Sequence, residues 1–156
     1  MASAIFAAGC FWGVEAHFAQ LKGVLATEAG YTGGTTPHPT YEQVCAHGTG
    51  HAEAVRVEYD PGEITYDELL LAFFGMHDPT QLDRQGPDVG SHYRSAVFFL
   101  APEQEEAALA MVRRLRDGGH FPRPIVTEVT AAAEWWPAEE YHQRYFERHG
   151  HLGCAI

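Results

Sequence analysis

Cysteine is scarce in this chain: three residues, Cys10, Cys45 and Cys154, stand far apart in 156 positions with no Cys-x-x-Cys pair. That pattern argues against both a disulfide framework and a zinc ribbon. It leaves room for a reactive thiol with a partner thiol elsewhere. Basic residues are also few, 10 Lys and Arg against 21 Asp and Glu, for a formal charge of −11. Such a surface repels phosphate backbones and anionic lipid, so neither a nucleic-acid nor a membrane partner is expected. No apolar run approaches the roughly 20 residues that span a bilayer. The opening MASAIFAAG carries no basic region and too short an apolar stretch for a secretory signal. A cytoplasmic protein is expected. Internal repeats and linkers are absent too.

What is present is apolar: 46% hydrophobic residues, enough for one compact domain spanning 1–156 with its own core. AIFAAG reads as a buried strand. From Cys10 onward, Phe11, Val14, Phe18 and Leu21 recur at helical spacing, and Gly23 permits a stop. VLATEAGY is a second strand, followed by a loop of roughly twenty residues, a length that is usually functional. AEAVRVEY alternates strictly: Glu53, Val55, Val57 and Tyr59 face one way. Thr65 and Glu68 form a capping box ahead of Leu69, Leu70, Phe73 and Phe74. A polar loop, a strand YRSAVFFL starting at Tyr93, a helix Pro102–Arg116, a strand IVTEV and a last helix Pro137–Arg148 complete the order. Residues 149–156 read as a mobile tail. The fold class is α+β: a two-layer ferredoxin-like βαββαβ core with a mixed sheet, plus the C-terminal helix.

Cys10 falls where a strand ends and a helix begins. Helix N-terminal N–H groups stabilise a thiolate. Cysteine is also a common inert core residue, so both readings stand. Trp12 lies off the helix's apolar stripe and is a candidate pocket wall, whereas Phe11 lies on it. Glu53 shares the face of Val55 and Val57. A buried carboxyl holds its proton more firmly and can act as a general acid; a frayed strand start facing water is the alternative. Tyr41 and Tyr93 offer phenolic donors. Asp88, in GPDVG, is open to a turn role or a substrate role. Cys154, near the chain end, can reach a distant oxidised sulfur. Cys45 looks like a small buried hydrophobe. Ten histidines invite a metal reading through Cys45, His47 and His51, but the spacing fits no standard zinc pattern. A cysteine hydrolase would need a histidine base, and His17 is poorly placed for it.

Taken in order, GCFWG, GYTGG, YEQVC, TGHAEAVRVEYDP, HDPT, RQGPDVGSHYRSAVFF and PAEEYHQRYF resemble the A-type peptide methionine sulfoxide reductases over nearly the whole chain. The resemblance implies reduction of methionine-S-sulfoxide, free or in proteins, with no cofactor, by a monomer. It makes Cys10 the nucleophile, Glu53 the acid that protonates the sulfoxide oxygen, and Tyr41 and Tyr93 its hydroxyl partners. Phe11 and Trp12 wall a methyl pocket, and Asp88 positions substrate. Cys154 resolves a Cys10 sulfenic acid to a disulfide, which thioredoxin reduces. Three departures stand out: His47 where glycine is usual, His92 where glutamine is frequent, and Trp135-Trp136 for a Phe-Tyr pair.

Overall fold

The computed structural model describes residues 1–149. Eight strands and five helices follow in the order β1 (Ala2–Ala8), α1 (Phe11–Ala19), β2 (Val24–Thr32), α2 (Tyr41–Cys45), β3 (Ala52–Tyr59), α3 (Tyr66–Gly75), β4 (Arg84–Gln85), β5 (Asp88–Val89), β6 (Ser95–Phe99), α4 (Pro102–Asp117), β7 (Glu128–Ala131), β8 (Trp136–Pro137) and α5 (Tyr145–His149). Six strands form one sheet in the order β7-β6-β1-β3-β2-β8, and β4 with β5 makes a separate small hairpin. β1 pairs antiparallel with β3 and β6, and β2 antiparallel with β3 and β8. β7 joins β6 in parallel, so the sheet is mixed. Among the described residues, no helix is long and apolar enough to cross a membrane.

Alternation sorts the sheet into two faces. Ala4, Phe6, Ala8, Val55, Val57 and Val97 pack with helical residues such as Phe18, Phe73 and Met111 in the main core. Ile5, Ala7, Ala54, Ala96 and Phe98 form a thinner cluster on the other face, covered by Ala132 and Trp135. Phe6 is the hub of the main core: its ring lies 5.0 Å from Phe18 of α1 and 5.2 Å from Phe73 of α3. The helices start and stop as their sequences dictate. Thr65 and Glu68 close the capping box of α3. Pro102 opens α4, Glu103 and Glu105 occupy its first turn, and Arg114 and Arg116 its last, which matches the helix dipole at both ends.

Four expectations need correction. The stretch 137–148 is not one helix: Pro137 ends β8, Glu140–His142 is a single 3-10 turn, and α5 starts at Tyr145. Arg144, at φ +49, breaks the path between them. The polar side chains of Glu139, His142 and Gln143 are all engaged with distant partners. Gln143 is the clearest case: its Oε1 accepts from Ala29 N–H at 2.8 Å and its Nε2 donates to Ala29 C=O at 2.9 Å. Tyr93 does not open the fourth long strand but sits in a 3-10 turn, Ser91–Tyr93, that Gly90 enters at φ +140. The strand expected at IVTEV begins three residues later at Glu128, because the Val126 N–H is drawn to Pro79 C=O at 2.8 Å. The long first loop contains α2, capped by a Thr40–Gln43 box.

Candidate active site

Cys10 is the N-cap residue of α1, half-buried, at the end of β1. Gly9 before it holds φ +97, and a Cβ there would lie 3.0 Å from Gln85 Cβ. Only glycine satisfies both demands. Gln85 is in turn fixed by paired hydrogen bonds to Asp78 N–H and C=O, at 2.8 and 3.0 Å. The β4–β5 hairpin that carries Asp88 opposite Gln85 is thereby held beside the Cys10 turn.

Glu53 faces the main core with Val55 and Val57, as its alternation predicts, and is 1% exposed. Its Oε1 accepts the Phe11 N–H at 3.1 Å. That N–H is an orphan donor of the first turn of α1, which has no intrahelical partner. The helix terminus that follows Cys10 therefore holds the Glu53 carboxyl.

Tyr41 and Tyr93 both lie near enough to feel the Glu53 charge. Burial raises the Tyr41 pKa well above the ordinary phenol value, helped by the Glu53 charge and a hydrogen bond to the Cys45 sulfur. Burial raises Tyr93 likewise, with added contributions from Glu53, Cys45, Asp88 and Cys10. Both phenols therefore remain protonated donors. The same interactions show that Cys10, Cys45, Glu53, Asp88, Tyr41 and Tyr93 form one electrostatic cluster.

The aromatic surround is built from three parts of the chain. Phe11 is buried at 1% and packs against Tyr31, Tyr41 and His142, at 5.7, 6.4 and 5.1 Å between centroids. Trp12 is half-buried, stacks on Tyr145 at 3.8 Å and donates Nε1–H to His142 Nδ1 at 2.9 Å. Phe11 is thus a core ring behind the site, and Trp12 is the more accessible one. A groove of about 510 Å3 lined by Trp12, Glu15, Arg144 and Tyr145 shares only Trp12 with the cluster around Cys10.

Several residues at the site were not found from sequence. Glu139 Oε1 accepts from the Tyr31 hydroxyl at 2.8 Å, and Oε2 from the Tyr41 N–H at 2.9 Å. Burial pushes the Glu139 pKa up, but these hydrogen bonds outweigh it and hold it below the usual value. His142, fully buried, lies 4.4 Å from the Tyr41 ring. Burial lowers its pKa, against the opposing pull of Glu139. The sequence signal for these residues was obscured because 137–148 has helical composition. Cys45 is half-buried, not a core residue, and faces Glu53. Burial raises its thiol pKa, opposed by the Tyr41 hydrogen bond. His51 is no ligand candidate: Nδ1 accepts Gly34 N–H at 3.0 Å and Nε2 donates to Thr36 C=O at 2.7 Å. Cys154 lies outside the described residues.

A thiol at a helix start, a buried carboxyl on the same terminus and two protonated phenols bring together the group types that a thiol-based reductase needs. The model of the family described as "Peptide methionine sulfoxide reductase" matches residues 2–156. "Peptide methionine sulfoxide reductase MsrA" of Acidobacterium capsulatum is 57% identical over 156 residues, 100% of each chain. Mxr1 of Saccharomyces cerevisiae in reduced form superposes with a TM-score of 0.89 at 31% identity, covering 99% of this chain and 88% of that one. Mxr1 in complex with Trx2 shares the fold, with a TM-score of 0.65 at 21% identity over 99% and 86% of the two chains. The chain belongs to the peptide methionine sulfoxide reductase family, of the MsrA type, and is an oxidoreductase of that class.

Proposed function

We propose that the chain reduces methionine-S-sulfoxide, free or within proteins, through Cys10. The observation that carries this reading is the Phe11 N–H to Glu53 Oε1 hydrogen bond, 3.1 Å long, which sets a buried carboxyl beside the Cys10 turn. A sulfoxide sulfur is electrophilic only when its oxygen is protonated or strongly hydrogen-bonded. Glu53 uses Oε1 as an acceptor, so the proton it gives is carried on Oε2. Tyr41 and Tyr93 hold the oxygen, Trp12 with Phe11 behind it receives the methyl group, and Asp88 positions the substrate. The Cys10 thiolate and one proton take the oxygen, leaving methionine and a Cys10 sulfenic acid. Cys154 condenses with that acid, releasing water and forming a disulfide. A thioredoxin is the reductant, a reading supported by the Mxr1 complex with Trx2. The antiparallel order of the four central strands supports a ferredoxin-like core. The same reading makes the protein a cytoplasmic monomer.

The test is a chiral assay with thiol counting. Turnover of the S epimer alone, with loss of two thiols per methionine formed in the absence of reductant, is expected. Cys10→Ser should abolish reduction, and activity in that variant would sink the nucleophile assignment. Cys154→Ser should complete one turnover and then stop cycling with thioredoxin.

A further inference from the structure

Two of the three departures noted in the sequence, His47 and His92, meet next to the site. Their rings lie 5.1 Å apart, edge to face. Gly90 makes that possible: a Cβ there would fall 2.6 Å from His92 Cε1 and 2.7 Å from His47 Cε1. His92 is 4% exposed, and its Nδ1 is buried with no hydrogen-bond partner among the described residues. One donor atom each from Cys45, Glu53 and His92 lie within 4.8 Å of one another.

We propose that Cys45, Glu53 and His92 bind one divalent cation of the zinc class. A thiolate, an imidazole and a carboxylate are the donor mixture zinc accepts. Ideal tetrahedral bond lengths put such donors roughly 3.5 Å apart, so separations within 4.8 Å close by a small movement on binding. The three come from different elements, α2, β3 and the Ser91–Tyr93 turn, so the site exists only in the folded chain. Three protein ligands leave the fourth position to water or to His47. Binding displaces the Cys45 and Glu53 protons to solvent and forms a metal–sulfur and a metal–oxygen bond beside the His92 nitrogen, with no change of oxidation state. The ion also takes the carboxylate assigned above as the acid, so it switches the reductase off. That consequence rests on the proposed mechanism; the binding does not.

The experiment uses the full chain with Cys10→Ser and Cys154→Ser, which leaves Cys45 as its single thiol. Titration with Co2+ is expected to give one equivalent bound and a near-ultraviolet thiolate-to-cobalt band, displaced by Zn2+. Adding Cys45→Ser should remove the band. Adding His92→Gln should weaken affinity at least tenfold. Nitrogen NMR of the His92 ring on Zn2+ addition reads the same contact without any change at His92. No band, equal affinity in His92→Gln, or unmoved His92 nitrogens would overturn the site. In the otherwise native enzyme, His92→Gln should need at least tenfold more Zn2+ for inhibition. If Co2+ binds as described but Zn2+ spares turnover, the site stands and the acid role of Glu53 falls.

Discussion

Phe11 and Glu53, 42 positions apart in sequence, share a hydrogen bond from the first backbone N–H of α1 to a carboxyl buried in the middle of the sheet. Cys10 is the residue just before that N–H. The Cys10 turn and the Glu53 carboxyl are therefore joined through one peptide unit.

Glu53→Gln separates the proton from the geometry. The amide oxygen still accepts the Phe11 N–H, so the fold should hold. Loss of general-acid catalysis is expected to slow single-turnover methionine formation by about 10²–10⁴-fold. A rate within tenfold of the native protein would remove Glu53 from the chemistry.

Tyr41→Phe and Tyr93→Phe each delete one hydroxyl while leaving the ring packed. Because burial and the Glu53 charge raise both phenol pKa values, both are donors throughout the useful pH range. Each single variant should lose up to about 10²-fold in the reductive step and the double variant more. Stopped-flow rates that stay equal in all three would show that neither hydroxyl touches the oxygen.

His77 governs acid stability. It is 8% exposed, its Nδ1–H donates to Phe73 C=O at 2.7 Å, and its Nε2 accepts from the Ser95 hydroxyl at 2.7 Å. Burial pushes its pKa down from 6.5 to about 4. Between those values the unfolded chain binds the extra proton. The contribution is therefore complete above about pH 6.5 and is lost as pH falls toward 4, on the order of 3 kcal/mol. His77→Gln should melt lower at pH 7.5 but lose less between pH 6.5 and 4.5. Parallel melting curves for the two proteins would refute the assignment.

Glu139 behaves with the same sense but at lower pH. Its depressed pKa means that the stabilisation is present above the ordinary carboxylate value of 4.5 and fades as pH falls through the lower folded value. In Glu139→Gln the amide oxygen can keep the Tyr41 N–H and the amide nitrogen turns the Tyr31 hydroxyl into an acceptor, but both charge-assisted hydrogen bonds are lost. The substitution should cost about 1–3 kcal/mol near pH 7, with the difference shrinking below pH 4. Denaturant titrations at both pH values measure it.

Gly30→Ala tests the thinner face of the sheet. The added Cβ would lie 2.7 Å from Trp135 Cε2, an overpacking expected to cost about 1–3 kcal/mol. In a Trp135→Leu background the same change should be nearly neutral. An undiminished penalty there would show that the ring is not the obstacle.

Local patterns carried much of this molecule into view. The 2-residue period of β3 offered Glu53 a place on the core side, with a frayed start facing water as the alternative, and Thr65 with Glu68 located the start of α3. Position-by-position resemblance then supplied roles that no period gives. What stayed hidden is non-local. Glu139, His142 and Gln143 sit in a helix-like string, yet their partners Tyr31, Tyr41, Trp12 and Ala29 lie 98 to 130 positions away. Tertiary hydrogen bonds overrode propensity there. α2 was missed because five residues are too few for a period, although Thr40 and Gln43 cap it as firmly as Thr65 and Glu68 cap α3. Cys45 read as a packed hydrophobe because nothing nearby in sequence marks Glu53 and His92 as its neighbours.

The clasp of Gln143 on Ala29 has a consequence for how the chain behaves among other chains. A carboxamide carries one acceptor and one donor in the layout of a peptide group, so Gln143 imitates a rung of a strand that is not there. β8 pairs with β2 at Gly30 and Tyr31, and the Ala138 N–H also reaches the Ala29 C=O at 2.9 Å, so it is the Ala29 N–H that Gln143 withholds from a foreign strand. With Gln143 in place the row of open peptide groups is shortened, and the margin of the sheet resists fibre-like growth without spending a longer strand on the task.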